Sequence, residues 1–125
     1  MVTERRRSLG ERGEQAVAAW YQDAGYRLLA ANWRCREGEL DWCWRAPVGV
    51  FCEVKTRTSS RFGTAFDAVT QSKQRRLRRL AAIWLAEQRS TCRRRVGTRS
   101  VRFDVAAVAP GPAGRLEVEV LPDAF

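Results

Sequence analysis

The chain has 125 residues, 45% hydrophobic and 30% charged, enough for one globular domain with a single core and too short for two. No apolar run approaches the ~18 residues that span a bilayer, and the basic start, Met1 to Arg7, leads into Gly10, Glu11 and Glu14 with no apolar signal segment. The net charge is +9 and histidine is absent, which excludes a Ser-His-Asp triad, a Cys-His pair, a histidine metal site and imidazole acid–base catalysis.

The expectation is a soluble, cytoplasmic protein with no membrane partner. It forms one domain, 1–125, with a basic N-terminal tail at 1–8 and a basic loop at 90–100. The charge is concentrated: Gln71 to Arg102 holds eleven bases against one acid, Glu87, while the other 93 residues hold twelve bases and thirteen acids. Such a block suits a polyanion, nucleic acid above all, or else forms a solvated helix face. Cys35, Cys43, Cys52 and Cys92 include no C-x-x-C pair, which argues against zinc and against a disulfide framework. Cys43 and Cys52 sit in apolar stretches and read as small hydrophobes. Neither a Walker phosphate loop nor a dinucleotide G-x-G-x-x-G is present.

In chain order, Leu9 to Ala24 has helical periodicity, with Val17, Trp20, Tyr21 and Ala24 on one stripe and Gly25 as the stop. Glu14 falls on the shoulder of that stripe. There it is either an acid favouring the helix N-terminus or one turned towards a site, and the helix alone favours the first. Tyr26 to Trp33 reads as a strand. Glu39 to Arg45 alternates, with Leu40, Trp42 and Trp44 on one face and Glu39, Asp41 and Cys43 on the other. After a turn at Pro47 and Gly49, Val50 to Arg57 alternates again, with Phe51, Glu53, Lys55 and Arg57 opposite Val50, Cys52 and Val54. The short turn makes these two strands an antiparallel pair.

Thr58 to Phe66 reads as a loop, and Thr70 to Gln88 as a second helix with Leu77, Leu80, Ala81, Trp84 and Leu85 inward and Arg75 and Arg79 outward. Val101 to Val108 is an apolar strand, and Arg115 to Leu121 alternates as a half-exposed edge strand. The order is α-β-β-β-α-β-β, an α/β domain with a central mixed sheet flanked by helices.

The chemistry rests on Asp41, Glu53 and Lys55. Period-two geometry puts Glu53 and Lys55 side by side, ~7 Å apart at Cα, and Asp41 lies on the neighbouring strand. Burying these charges without a partner is costly. Asp41 and Glu53 are hard oxygen ligands, the Val54 carbonyl adds a third, and the set suits Mg2+ or Mn2+ over zinc. Lys55 is then placed to orient or help deprotonate a nucleophilic water. Glu14 is placed to reach the same site directly or through water. The plain alternative is a surface ion pair between Glu53 and Lys55.

Lys73 lies in line with the apolar stripe in the first turn of the second helix, where it either holds a phosphate beside the metal or snorkels. Arg75, Arg76, Arg79, Arg93, Arg94, Arg95 and Arg99 read as phosphate-backbone contacts. Trp33, Trp42, Trp44 and Trp84 stand at core spacing, which favours packing over base stacking.

Gly13-Glu14, Gly38-Glu39-Leu40-Asp41 and Phe51-Cys52-Glu53-Val54-Lys55-Thr56-Arg57 together resemble the PD-(D/E)xK nucleases, restriction-endonuclease-like folds that include archaeal Holliday junction resolvases. From Gly10 to Val108 the chain more narrowly resembles the YraN family of small bacterial proteins. That match adds Asn32-Trp33-Arg34, Ala68-Val69-Thr70 with Lys73 and Arg76, and Arg102-Phe103-Asp104-Val105. The resemblance implies a restriction-endonuclease-like fold and a Mg2+-dependent endonuclease acting on DNA more than RNA, branched DNA included. In such a protein Asp41 and Glu53 bind metal, Lys55 is catalytic and Glu14 assists. It also implies a homodimer, as resolvase-like members use to cut two strands. A non-catalytic DNA- or RNA-binding module that keeps the fold is the alternative. Trp42 and Cys43 replace smaller aliphatics usual in the family, and repacking is expected there.

Overall fold

The computed structural model describes residues 2–45, 49–58, 62–91 and 100–125. Helix α1 (Val2–Asp23) is followed by strands β1 (Arg27–Cys35), β2 (Gly38–Arg45) and β3 (Gly49–Thr56), helices α2 (Phe62–Asp67) and α3 (Gln71–Thr91), and strands β4 (Val101–Pro110) and β5 (Leu116–Leu121). A 3-10 turn at Pro112–Gly114 joins the last two strands. The five strands form one sheet in the order β1-β2-β3-β4-β5, antiparallel throughout except for the parallel β3–β4 pair. The mixed sheet flanked by helices is thus the architecture expected from the sequence. Two details differ: α1 takes in residues 2–8, and the expected loop before the second long helix contains α2. The basic loop at 90–100 falls largely outside the described residues.

Each helix layer covers one face of the sheet. On the α1 side, Val17, Ala18 and Tyr21 pack on Trp42, Trp44, Val50, Cys52, Ala106 and Val108. On the other, Leu77, Leu80, Ala81 and Trp84 of α3 pack on Cys43, Phe51, Phe103 and Val105. Even-numbered residues of β3 and β4 therefore face α1 and odd-numbered ones face α3, the alternation of a pleated strand. The buried tryptophans are core: Tyr21 stacks on Trp44, and Phe51 meets Trp84 edge to face. Trp20 and Ala24, expected on the buried stripe, stay exposed, and Ala18 takes their place against the sheet. Cys43 and Cys52 are buried thiols, and burial pushes Cys43 up to about 12 and Cys52 higher still.

Period-two alternation fails in one place. Leu40 packs with Cys43 against α3, whereas Trp42 and Trp44 face α1, so the expected Leu40-Trp42-Trp44 face does not form. The β2–β3 ladder runs from Arg45↔Gly49 to Trp42↔Cys52 and ends there, while β2 stays paired to β1 through Trp33↔Leu40 and Arg34↔Glu39.

A single buried carboxylate ties α1 to the sheet. Asp104 on β4 is fully buried and accepts four hydrogen bonds: from the Tyr21 hydroxyl (2.6 Å), from Arg102 Nε and Nη2 (2.8 and 2.9 Å) and from the Asp123 amide (3.0 Å). Arg102 also donates to the Tyr26 hydroxyl (2.9 Å). Asp104 is thus the structural partner of Arg102. Burial raises the Tyr21 pKa, and the Asp104 hydrogen bond raises that of Arg102, so Tyr21 stays neutral and Arg102 charged.

Further along α1, the helix lies so close to β3 that a Cβ on Gly13 would collide with the Thr56 side chain. Gly13 is the residue that permits this approach.

Tyr21→Phe removes one hydrogen bond to a buried charge and is expected to cost about 2 kcal/mol. Asp104→Ala strands Arg102 and is expected to cost about 3–5 kcal/mol, both read as shifts in urea midpoint. Gly13→Ala would stabilise an isolated helix by ~1 kcal/mol but is expected to destabilise this protein by about 1–3 kcal/mol. Thr56→Ala in the same chain should recover most of that loss. A Gly13→Ala variant as stable as wild type would refute the close packing.

Candidate nuclease-like site

The end of the β2–β3 ladder shapes the site. Beyond Trp42↔Cys52 the strands part, and β3 continues paired only with β4, through Glu53↔Val105, Val54↔Ala106 and Lys55↔Ala107. The Val54 amide, which a ladder partner on β2 would otherwise take, donates instead to Asp41 Oδ2 at 2.8 Å. This bond fixes the Asp41 carboxylate in the mouth of the fork. Within a strand the N–H and C=O of one residue point to the same edge, so the Val54 carbonyl faces the fork as well.

Glu53 and Lys55 share the α3 face of β3, as the pleat requires. Glu53 is half-buried, and its carboxyl lies within hydrogen-bonding reach of Asp41. Burial and then the Asp41 carboxylate raise its pKa well above the ordinary carboxylate range, while Lys55 and Lys73 pull in the opposite direction.

Lys73 comes from α3. Its amide is capped by Thr70 Oγ1 at 3.3 Å, an N-cap that starts the helix where the sequence suggested. Its ammonium lies beside that of Lys55, whose charge lowers the Lys73 pKa. Lys73 is therefore one of a pair of cations facing Glu53, which an isolated snorkelling lysine would not be.

Glu14 reaches the same place from the opposite layer. It stands in the middle of α1, twelve residues past the first, and so is not an N-terminal acid. Burial and then the Asp41 and Glu39 carboxylates raise its pKa, while a hydrogen bond from Asn32 lowers it. The fork thus lets an acid from the α1 face approach Asp41 while Glu53, with Lys55 and Lys73 beside it, meets Asp41 from the α3 face.

Among the described residues, no group of three His, Cys, Asp or Glu side chains is gathered tightly enough to hold a metal ion. Asp41 and Glu53 are the close pair, with Glu14 outside it. The donor set is then two carboxylates and a backbone carbonyl, all oxygen. That set fits Mg2+ or Mn2+, which retain several waters and take one or two carboxylates from the protein.

Of the expected phosphate contacts on α3, Arg75, Arg76 and Arg79 are exposed, and Arg79 makes one long ion pair with Glu37 (4.0 Å). Arg93, Arg94, Arg95 and Arg99 lie outside the described residues. Two other cations of the basic block have structural work. Arg78 lies over the Phe103 and Phe125 rings at 5.2 and 5.4 Å, and Arg102 holds Asp104.

The residue that the reading of the sequence left without a role is Asn32. Its φ of 51° is left-handed, and it stands across the β1–β2 register from Asp41. Only its place in the Asn32-Trp33-Arg34 segment pointed to it.

Residues 13–108 match the model of a family described as "Uncharacterised protein family UPF0102". A UPF0102 protein of Symbiobacterium thermophilum is 47% identical over 122 residues, covering 95% of this chain and 97% of the relative. One of Frankia alni is 47% identical over 119 residues, 94% of each. One of Mycolicibacterium vanbaalenii is 49% identical over 112 residues, 87% of this chain and 86% of that one. The matched span contains Glu14, Asp41, Glu53, Lys55 and Lys73, and on likeness of this extent the chain belongs to the family UPF0102, the YraN family that its motifs resemble.

Proposed function

We propose that the chain is a nucleic-acid-binding protein and a metal-dependent phosphodiesterase of the PD-(D/E)xK type, acting on DNA, branched DNA included. The observation that carries this reading is the Asp41–Glu53 pair at the fork, two carboxyls in direct reach of each other with Lys55 and Lys73 beside them. A divalent cation between two such carboxyls would offset their mutual repulsion.

A bound Mg2+ or Mn2+ supplies a Lewis acid that acidifies water and offsets charge developing on the phosphate. Asp41, held by the Val54 amide, and Glu53 are the residues that would hold it, with the Val54 carbonyl. Lys55 orients the attacking water and neutralises the scissile phosphate. Lys73, at the α3 N-terminus where backbone N–H groups also favour an anion, holds a neighbouring phosphate. Glu14 assists through water. Arg75, Arg76 and Arg79 contact the backbone and position it without reading sequence. Cutting two strands of a branched substrate calls for two copies of the site, and a homodimer belongs to the same proposal.

One observation favours the rival reading, a binding module without catalysis: among the described residues no third acidic side chain closes around Asp41 and Glu53.

Wild type, Asp41→Ala and Glu53→Ala, incubated with Mg2+ or Mn2+ on single-stranded, duplex, flap and four-way-junction DNA and on RNA, decide between the two. Wild type is expected to cut and to stop on adding EDTA, with either variant slower by about 10^2–10^3-fold at unchanged binding. Cleavage that survives both substitutions would sink the assignment. Binding by wild type with no cut on any substrate would establish the binding module. Separately, Arg75→Gln with Arg79→Gln should weaken binding to all sequences alike and reduce the slope of log K against log salt by about 2. An unchanged slope would remove this helix from the interface.

A further inference from the structure

Strand β1 departs from regular geometry next to the site. Its register to β2 shifts between Leu28 and Ala30, and two residues later Asn32 adopts a φ of 51°. The pairs Ala31↔Trp42 and Trp33↔Leu40 set Asn32 across from Asp41. A left-handed residue inside a strand interrupts pairing, and asparagine tolerates that conformation better than other residues with a Cβ.

Core packing does not account for it, because Asn32 is exposed. It lines an open cleft of about 800 Å3 together with Glu11, Arg12, Glu14, Gln15 and Arg115. Glu14 lines the same cleft from α1, across the gap from the sheet, and its carboxylate lies within hydrogen-bonding reach of the Asn32 side-chain amide. Local strain that no packing explains, at a residue sharing one cleft with a candidate site residue, points from geometry to function.

We infer that Asn32 is a positioning residue: its left-handed backbone delivers the side-chain amide to Glu14 and keeps that carboxylate turned towards Asp41. Asn32 acts through Glu14, in the way hydrogen-bonded outer residues orient groups that face a metal. The inference deepens the metal-dependent reading above and rests on it for its consequence. The contact between Asn32 and Glu14 is tested independently of any metal.

Asn32→Gly preserves the left-handed backbone and deletes the amide. Asn32→Asp also tolerates that backbone and places a second carboxylate against Glu14. Both are surface changes and are expected to leave the thermal midpoint within a few degrees of wild type.

The pairing is read first without metal, from the Asn32 side-chain NH2 resonances in a 15N–1H spectrum, identified by their loss in Asn32→Gly. Glu14→Gln should shift them, and an unmoved pair of resonances overturns the inference whatever the protein does with metal. The consequence is read from Mn2+ affinity by titration calorimetry. Asn32→Gly is expected to weaken Mn2+ binding by about tenfold in the wild-type chain and by less than about twofold in Glu14→Gln, with Asn32→Asp altering affinity in the first background only. An equal loss in both backgrounds, or none in either, overturns the positioning role. Should wild type bind no Mn2+ at all, the metal-dependent reading fails by itself, and the amide resonances still decide whether Asn32 holds Glu14.

Discussion

A fully buried carboxylate is costly unless every lone pair is used, and the four hydrogen bonds to Asp104 meet that demand. Each donor belongs to a different part of the chain or pins one there. Tyr21 is from α1, Asp123 from the C-terminal segment, and Arg102 bridges to Tyr26 before β1. Removing any of them leaves charge or polarity stranded in an apolar layer, so α1 is confined to one seat on the sheet. With Tyr21 held at one end, Gly13 is brought against Thr56 at the other. Glu14, the next residue, is thereby set beside the fork. The position of a site residue thus follows from a hydrogen bond two turns away on the same helix.

The second constraint is the parting of β2 and β3. A ladder that continued past Trp42↔Cys52 would have paired the Val54 amide to a backbone carbonyl and left Asp41 free to turn to solvent. Because it stops, Asp41 takes the place of the missing strand and its carboxylate is fixed where the two faces of the sheet communicate. An intact sheet would keep Glu14 on one side and Glu53, Lys55 and Lys73 on the other. The opening makes one site from two layers, and the parallel β3–β4 pairing supports its floor on the remaining side.

What was legible in the sequence tracks the regularity of these elements. Glu53 and Lys55 lie on a strand paired to β4 along its whole length, so period two placed them correctly. Lys73 lies one turn from Leu77 on a capped helix, and its direction followed from helical geometry alone. Leu40 was misassigned because the alternation on β2 breaks near the point where β3 leaves, and nothing local in Gly38-Glu39-Leu40-Asp41 marks that point. Glu14 looked like an N-terminal acid because α1 was expected to begin near Leu9, while the helix begins at Val2. Asn32 and Asp104 were opaque for one shared reason: each is defined by partners far away in sequence, and their residue types fit a turn or a surface as readily as a strand.

The basic block shows how composition and structure divide the account. As a count of charges it is a uniform run, yet its described members perform two kinds of work. Arg102 is held in an ion pair with Asp104, and Arg78 spreads over the Phe103 and Phe125 rings, so both do structural work. Arg75, Arg76 and Arg79 lie exposed on α3, whose first turn carries Lys73 beside Glu53 and Lys55. The exposed cations therefore extend along one helix from the fork outward, each turn carrying them about 5.4 Å farther. On the reading proposed above, a polyanion lying on that helix would meet the carboxylate pair at the end where α3 starts.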